Sequence, residues 1–114
     1  MNKAQLKELV INALEDLKAK DITVLDVSEV TDMTDTMIFV SGTSNRHVKS
    51  LADNVTMEAK KAGMQPLGVE GQDTGDWVLV DLGDVLVHVM LPEIRDMYDL
   101  EKLWSVPADF NGES

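Results

Sequence analysis

No cysteine occurs among the 114 residues, so a disulfide framework, a thiolate zinc site and a thiol nucleophile are all excluded. Runs of like charge and low-complexity stretches are also missing. Apolar residues recur from Leu6 to Trp104, which argues against disorder over that span. No apolar stretch approaches the roughly 20 residues of a membrane span. Met1 to Lys20 carries Glu8, Glu15 and Asp16 and lacks the basic start and apolar run of a signal peptide. A cytoplasmic location with no membrane partner is therefore expected. Positive charge is scarce, with 10 Lys and Arg against 21 Asp and Glu for a net charge of −11. Direct sequence-specific binding to nucleic acid is not expected, because phosphate affinity comes mainly from Lys and Arg releasing counterions. A basic protein partner fits that balance, although an acidic surface also serves solubility alone.

What is present is a chain with 44% apolar residues, enough for one core and too short for a second domain. One domain is expected over residues 1–106, followed by a flexible tail over 107–114 in which Phe110 is the only large apolar residue. Leu6, Leu9, Val10, Ala13, Leu14 and Leu17 recur at three- and four-residue spacing and predict one face of a helix, with Asn2 and Gln5 placed for a capping box. Ile22 to Val27 and Thr36 to Ser41 read as strands. The polar loop between them, Ser28 to Asp35, has room for a short helical turn. Ser44 is placed to cap a second helix with Val48, Leu51, Ala52, Val55, Ala59 and Ala62 on its buried stripe and Gly63 at its end. A loop with a short edge strand around Pro66 to Glu70 follows.

Trp77 to Leu82 and Val85 to Met90 flank Gly83-Asp84, a two-residue connection suited to a tight turn with positive φ at glycine. That turn pairs Leu82 with Val85, Val80 with Val87 and Val78 with Val89, a wholly aliphatic face that must be core. The opposite face carries Trp77, Leu79, Asp81, Leu86, His88 and Met90, too greasy for solvent and too polar for a comfortable core. Either a C-terminal helix from Pro92 to Trp104, with Asp99 placed to cap a second short turn, folds over it, or it docks a partner protein, and the two can divide the face. The order predicts an α/β (α+β) fold, a mixed sheet covered by helices on one side.

Catalytic constellations fail one by one. Gly42-Thr43-Ser44 before a helix can present N–H groups to a phosphate, but a full phosphate-cradling loop and a Gly-x-Gly-x-x-Gly pattern are absent. Turn plus helix cap is the plainer reading. His47 and His88 show no spacing that would converge on a metal; His47 reads as a solvated residue and His88 as a packed or hydrogen-bonded one. A triad of Ser41 or Ser44, His47 and Asp81 lacks a Gly-x-Ser-x-Gly elbow. Asp26, Asp32, Asp35, Asp81 and Asp84 lack the close Asp-x-Asp pair of magnesium-dependent nucleotidyl transfer. No catalytic residue, cofactor or metal is expected. A nucleotide-binding or nucleotidyltransferase-like enzyme is the alternative.

Several stretches carry a family resemblance, among them Asp21-Ile22-x-Val24-Leu25-Asp26-Val27, Ser41-Gly42-Thr43-Ser44-Asn45-Arg46-His47-Val48, and Glu70-Gly71 before Trp77. The most specific is Asp76-Trp77-Val78-Leu79-Val80-Asp81-Leu82-Gly83-Asp84-Val85-Leu86-Val87-His88-Val89, followed by Pro92-Glu93-x-Arg95 and Tyr98-x-Leu100-Glu101-x-Leu103-Trp104. From Leu6 to Trp104 the chain resembles the ribosome-silencing factor, or Iojap-like, family. It departs mildly at Thr36-Met37, where the family often has an aromatic after the aspartate, and at Ser41, where threonine is common.

The resemblance implies a nucleotidyltransferase-like fold without the catalytic carboxylates and a non-enzymatic role. It further implies binding to large-subunit ribosomal protein fourteen on the large ribosomal subunit, steric blocking of small-subunit association, and lowered translation when nutrients are scarce. The mixed hairpin face is where such a partner is expected. Trp77 is the first candidate anchor, since a half-exposed tryptophan supplies apolar area and one donor; its other reading is core under the last helix. Tyr98, Leu79, His88 and Arg95 join it as expected contacts, and Glu70, Asp81 and Asp84 would meet basic groups and steer encounter. The same apolar face could instead serve a homodimer of the free protein.

Overall fold

The first helix begins where the sequence places it. In the computed structural model, which describes residues 2–105, the Asn2 side chain accepts from the Gln5 N–H at 2.8 Å and the Gln5 side chain accepts from the Asn2 N–H at 3.0 Å. This reciprocal cap satisfies two N–H groups that have no partner within the helix. It opens α1 (Lys3–Asp16), which buries Leu6, Val10, Ala13 and Leu14. Ser44 caps α2 (Asn45–Lys61) by accepting from the His47 N–H at 3.1 Å, and α2 buries Val48, Leu51, Ala52, Val55 and Ala59. Gly63, at φ +89°, follows its last turn, a conformation that glycine adopts without a Cβ penalty.

The strands are β1 (Lys20–Asp26), β2 (Thr36–Ser41), β3 (Gly68–Glu70), β4 (Trp77–Asp81) and β5 (Val85–Met90), in the spatial order β1-β2-β5-β4-β3. Only the central β2–β5 pair is parallel among them, so the sheet is mixed. The hairpin register is the one the turn requires. Val78 faces Val89, Val80 faces Val87, and the Leu82 N–H donates to the Val85 carbonyl at 3.0 Å across Gly83, whose φ is +85°. Between β1 and β2, the Val30 and Thr31 N–H groups both donate to the Val27 carbonyl, a single helical turn.

Both faces of the sheet are covered, which corrects the expectation of helices on one side. On one face α1 and α2 pack against Ile38, Val40, Val78, Val80, Val85, Val87 and Val89. On the other, α3 (Pro92–Tyr98) and α4 (Leu100–Ser105) bring Ile94, Leu100 and Trp104 against Val27, Met37, Phe39, Leu86 and Met90. The physical reason is that β2 and β5 are central strands with apolar side chains on both sides, and both sides gain by leaving water. The helical segment expected from Pro92 to Trp104 is two short helices, and the break falls at Asp99, φ +49°, the residue placed to cap a second turn. No helix among the described residues is long and apolar enough to cross a membrane. The tail expected over 107–114 lies outside the described residues.

His47 is not the solvated residue its position suggests. Its Nδ1 accepts from the Thr43 N–H at 2.9 Å and its Nε2 bonds the Leu17 carbonyl at 2.7 Å. The ring thus ties the end of α1 to the start of α2. Leu17 lies 30 positions away in sequence, so helix periodicity carries no trace of this tie.

Candidate docking surface

Along β4 the side chains alternate between the two faces. Val78 and Val80 enter the core under α1 and α2, while Trp77, Leu79 and Asp81 turn to the face that carries α3 and α4. Cross-strand register then aligns Glu70, Leu79, His88, Phe39 and Thr23 in one row, and Trp77, Met90 and Ser41 in the next.

The covering of this face is uneven, and Arg95 on α3 shows why. Its guanidinium donates to both Glu101 carboxylate oxygens at 2.6 and 2.9 Å, to Ser41 Oγ at 2.9 Å and to Thr23 Oγ1 at 3.0 Å. These bonds hold α3 and α4 over the β1–β2 side, where Met37 and Phe39 are fully buried. Toward β3 the face stays partly open. Trp77 and Leu79 are half-buried and line a hollow of about 280 Å³ with Glu70 and Gly71. Tyr98, 54% exposed, sets its ring 5.1 Å from that of Trp77. Helices therefore cover one part of the mixed face and leave the other partly exposed.

Behind Trp77 sits His88, only 6% exposed, with its ring stacked on Phe39 at 4.7 Å and 6° between planes. The Trp77 Nε1–H donates to His88 Nδ1 at 3.2 Å. Burial lowers the imidazole pKa from 6.5 to about 4, because the charged ring would lose its hydration. The folded protein thus refuses a proton that the unfolded chain accepts, and stability falls as pH drops from about 6.5 to about 4. From His88 the expected loss over that window is on the order of 2 to 3 kcal/mol. Urea unfolding midpoints measured from pH 7.5 to 4.5 check this. A His88→Phe variant should show a flatter decline; an identical decline would show that other groups cause it.

The remaining expected contact residues lie elsewhere. Asp81 is at the far end of β4, where its Oδ1 accepts from the Gly83 N–H at 2.9 Å. Asp84 is exposed in the same turn, and its carbonyl accepts from the Asp35 and Thr36 N–H groups. Arg95, 10% exposed at its side chain, has its nitrogens bonded within the chain and shapes the surface by holding α3. The structure brings Trp77, Leu79, Glu70, Tyr98 and His88 together, leaves Asp81 and Asp84 at the hairpin end, and places Arg95 beneath the helices. Sequence reasoning missed Gly71, Phe39, Thr23, Ser41 and Glu101 as parts of this arrangement. The Glu70-Gly71 pair before Trp77 was a signal for Gly71. The six-residue spacing of Arg95 and Glu101 matches no helical contact and signalled nothing.

Several of the groups considered for catalysis are engaged structurally. The N–H groups of Thr43 and His47 already donate to His47 Nδ1 and Ser44 Oγ, which weakens an anion site at α2. Asp26 accepts from the Ser28 N–H and hydroxyl, and Asp35 pairs with Lys3 at 2.9 Å. Among the described residues no group of three His, Cys, Asp or Glu side chains is set to hold a metal ion.

The family described as "Ribosomal silencing factor during starvation" matches residues 1–113. The chain belongs to the ribosomal silencing factor family. Curated relatives agree. The ribosomal silencing factor of Chromobacterium violaceum is 53% identical over 100 residues, 88% of this chain and 82% of that protein. The one from Haemophilus influenzae is 47% identical over 88% of this chain and 98% of that protein. The mouse protein named mitochondrial assembly of ribosomal large subunit protein 1 is 36% identical over 87% of this chain and 45% of its own length. A crystal structure of a Chromobacterium violaceum protein superposes with a TM-score of 0.90 at 52% identity, covering 91% of this chain and 87% of that one. One from Bacillus halodurans gives 0.82 at 34% identity, covering 90% and 95%. Ribosomal silencing factors are not an enzyme class, and membership carries the family function of ribosome silencing.

Proposed function

We propose that this chain silences translation in the cytoplasm by docking on large-subunit ribosomal protein fourteen of the large ribosomal subunit, where it sterically blocks the small subunit under nutrient limitation. The observation that carries this reading is the open part of the β4 face. α3 and α4 cover the β1–β2 side and leave Trp77, Leu79 and Glu70 accessible beside an exposed Tyr98. A cluster of two aromatic rings and a leucine at the edge of a carboxylate has the make-up of an interface centre with a polar rim. The chain's charge of −11 favours a basic protein surface and steers encounter with it. Membership in the silencing family, and the large-subunit assembly role in the mouse relative's name, support a target on that subunit.

Sedimentation of purified large and small subunits at near-physiological magnesium tests the mechanism. The protein should comigrate with large subunits, and the joined-ribosome peak should fall. Protein left at the top of the gradient with joining unaffected would reject the docking. Trp77→Ala should lower affinity for large subunits by about 2 kcal/mol, roughly thirtyfold, with little change in fold. Titration of labelled protein against purified large subunits measures this, and equal affinity for the variant would remove Trp77 as the anchor.

A further inference from the structure

His88 is an expensive choice for the position it occupies. Its neighbours in the buried layer are Phe39, Leu79, Met90 and Trp77, and a phenylalanine there would stack and fill space as well. Because Nδ1 accepts from Trp77, the neutral ring carries its proton on Nε2. Nε2 is buried and has no hydrogen-bond partner among the described residues. A desolvated, unpaired donor destabilises a fold, and such a group calls for an explanation in what else the ring does. For His88 the other polar atom has one visible task, which is to receive the Trp77 indole N–H.

We propose that His88 is the positioning residue of the docking face: its unprotonated Nδ1 holds the Trp77 indole in one orientation against Tyr98, ready for the partner. This rests on the docking reading given above. The indole is held from two sides, by the Nε1–H to Nδ1 bond at 3.2 Å and by the Tyr98 ring at 5.1 Å. Fixing a large side chain before binding removes the entropy that the complex would otherwise lose in ordering it. The arrangement also states what Trp77 can recognise. Its single donor is engaged inside the chain, so the indole meets its partner through ring carbons. The partner group opposite Trp77 is therefore one that packs on an aromatic ring, not one that accepts its hydrogen bond, and further complementary charge belongs at Glu70, on the rim.

Two substitutions in the full chain separate positioning from packing. His88→Phe keeps the ring and its stack on Phe39 and removes the acceptor; His88→Asn puts an amide oxygen near the place of Nδ1 and gives up the stack. Each is read by urea unfolding, by affinity for purified large subunits, and by the Trp77 indole N–H resonance, assigned with the help of Trp104→Phe. His88→Phe should unfold at the same or a higher urea concentration than the parent, shift the Trp77 indole resonance, and bind roughly tenfold more weakly, the measure of one lost orienting bond. His88→Asn should be less stable yet keep the indole resonance and most of the affinity. Parent-like affinity of His88→Phe, when Trp77→Ala has lost binding, would overturn the positioning role and leave the docking reading intact. Parent-like affinity of Trp77→Ala would remove Trp77 as the anchor and the positioning role with it, whereas failure of the parent protein to comigrate with large subunits would remove the docking reading. If His88→Phe does not fold, His88→Asn decides alone, and loss of both the resonance position and the affinity overturns the proposal.

Discussion

Gly71→Ala is expected to destabilise the fold by about 3 to 4 kcal/mol and to remove docking with it. Gly71 has φ +90°, where an L-residue is strained, and a Cβ built there lies 2.0 Å from the Trp77 carbonyl oxygen and 3.1 Å from its carbon. Both obstacles are backbone, so no side-chain rotation relieves them. Nor can the start of β4 easily retreat. Val78 is paired with Val89, and the Leu91 N–H donates to the Asp76 carbonyl at 3.0 Å on the other side of Trp77. The turn must open, which moves the backbone that carries the proposed anchor. Gly68→Ala is the control, since Gly68 lies in the β3 edge strand with nothing within 4 Å of a built Cβ and no positive φ. Denaturant unfolding of the two variants side by side checks the claim. Similar midpoints for both would show that the approach at Gly71 relaxes at little cost.

Arg95→Ala should cost about 3 to 4 kcal/mol, chiefly by leaving partners without their cation. Glu101, 26% exposed at its side chain, has its carboxyl held below the usual carboxylate range first by the Arg95 hydrogen bonds, against a smaller opposing effect of burial. Removal of the guanidinium leaves that carboxylate without its cation and takes a donor from Ser41 and from Thr23. Arg95→Lys keeps the charge but cannot reach four oxygens as a planar fork does, so it should recover only part of the loss. A double-mutant cycle with Glu101→Ala isolates the pair, and the two changes together should cost clearly less than their sum. The pair also adds to the pH response. A carboxylate with a lowered folded pKa contributes fully above its unfolded value and loses the contribution as pH falls, the same direction as His88. Additive costs in the cycle would mean that the Arg95–Glu101 pair does not help to hold α3 and α4, and unchanged hydrogen exchange in α3 of Arg95→Ala would extend that to the bonds with Ser41 and Thr23.

Much of the architecture was legible because it depends on neighbours in sequence. The Asn2 and Ser44 caps, the buried stripes of α1 and α2, the short edge strand ending at Glu70 and the Val78–Val89 register all follow from local periodicity and turn chemistry. Strand parity alone put Trp77, Leu79 and His88 on one face, so the core of the candidate surface was also readable. Parity cannot say how much of a face is covered. That depends on where two short helices come to rest, and they rest where Arg95 meets Thr23, 72 positions earlier, and Ser41, 54 earlier. The tie from His47 to Leu17 and the hydrogen bond from Trp77 to His88 are also contacts between elements.

The elements, the hairpin register, the acidic character and the family resemblance are all written in residue identity and short spacing. Long-range packing set the rest: helices cover both faces, the Arg95 side chain lies between α3 and the sheet, the β4 side stays partly open, and the Trp77 donor is engaged by a buried histidine. These outcomes come from side chains far apart in the chain competing for the same partners and the same apolar surface, and no short-range pattern records which of them wins.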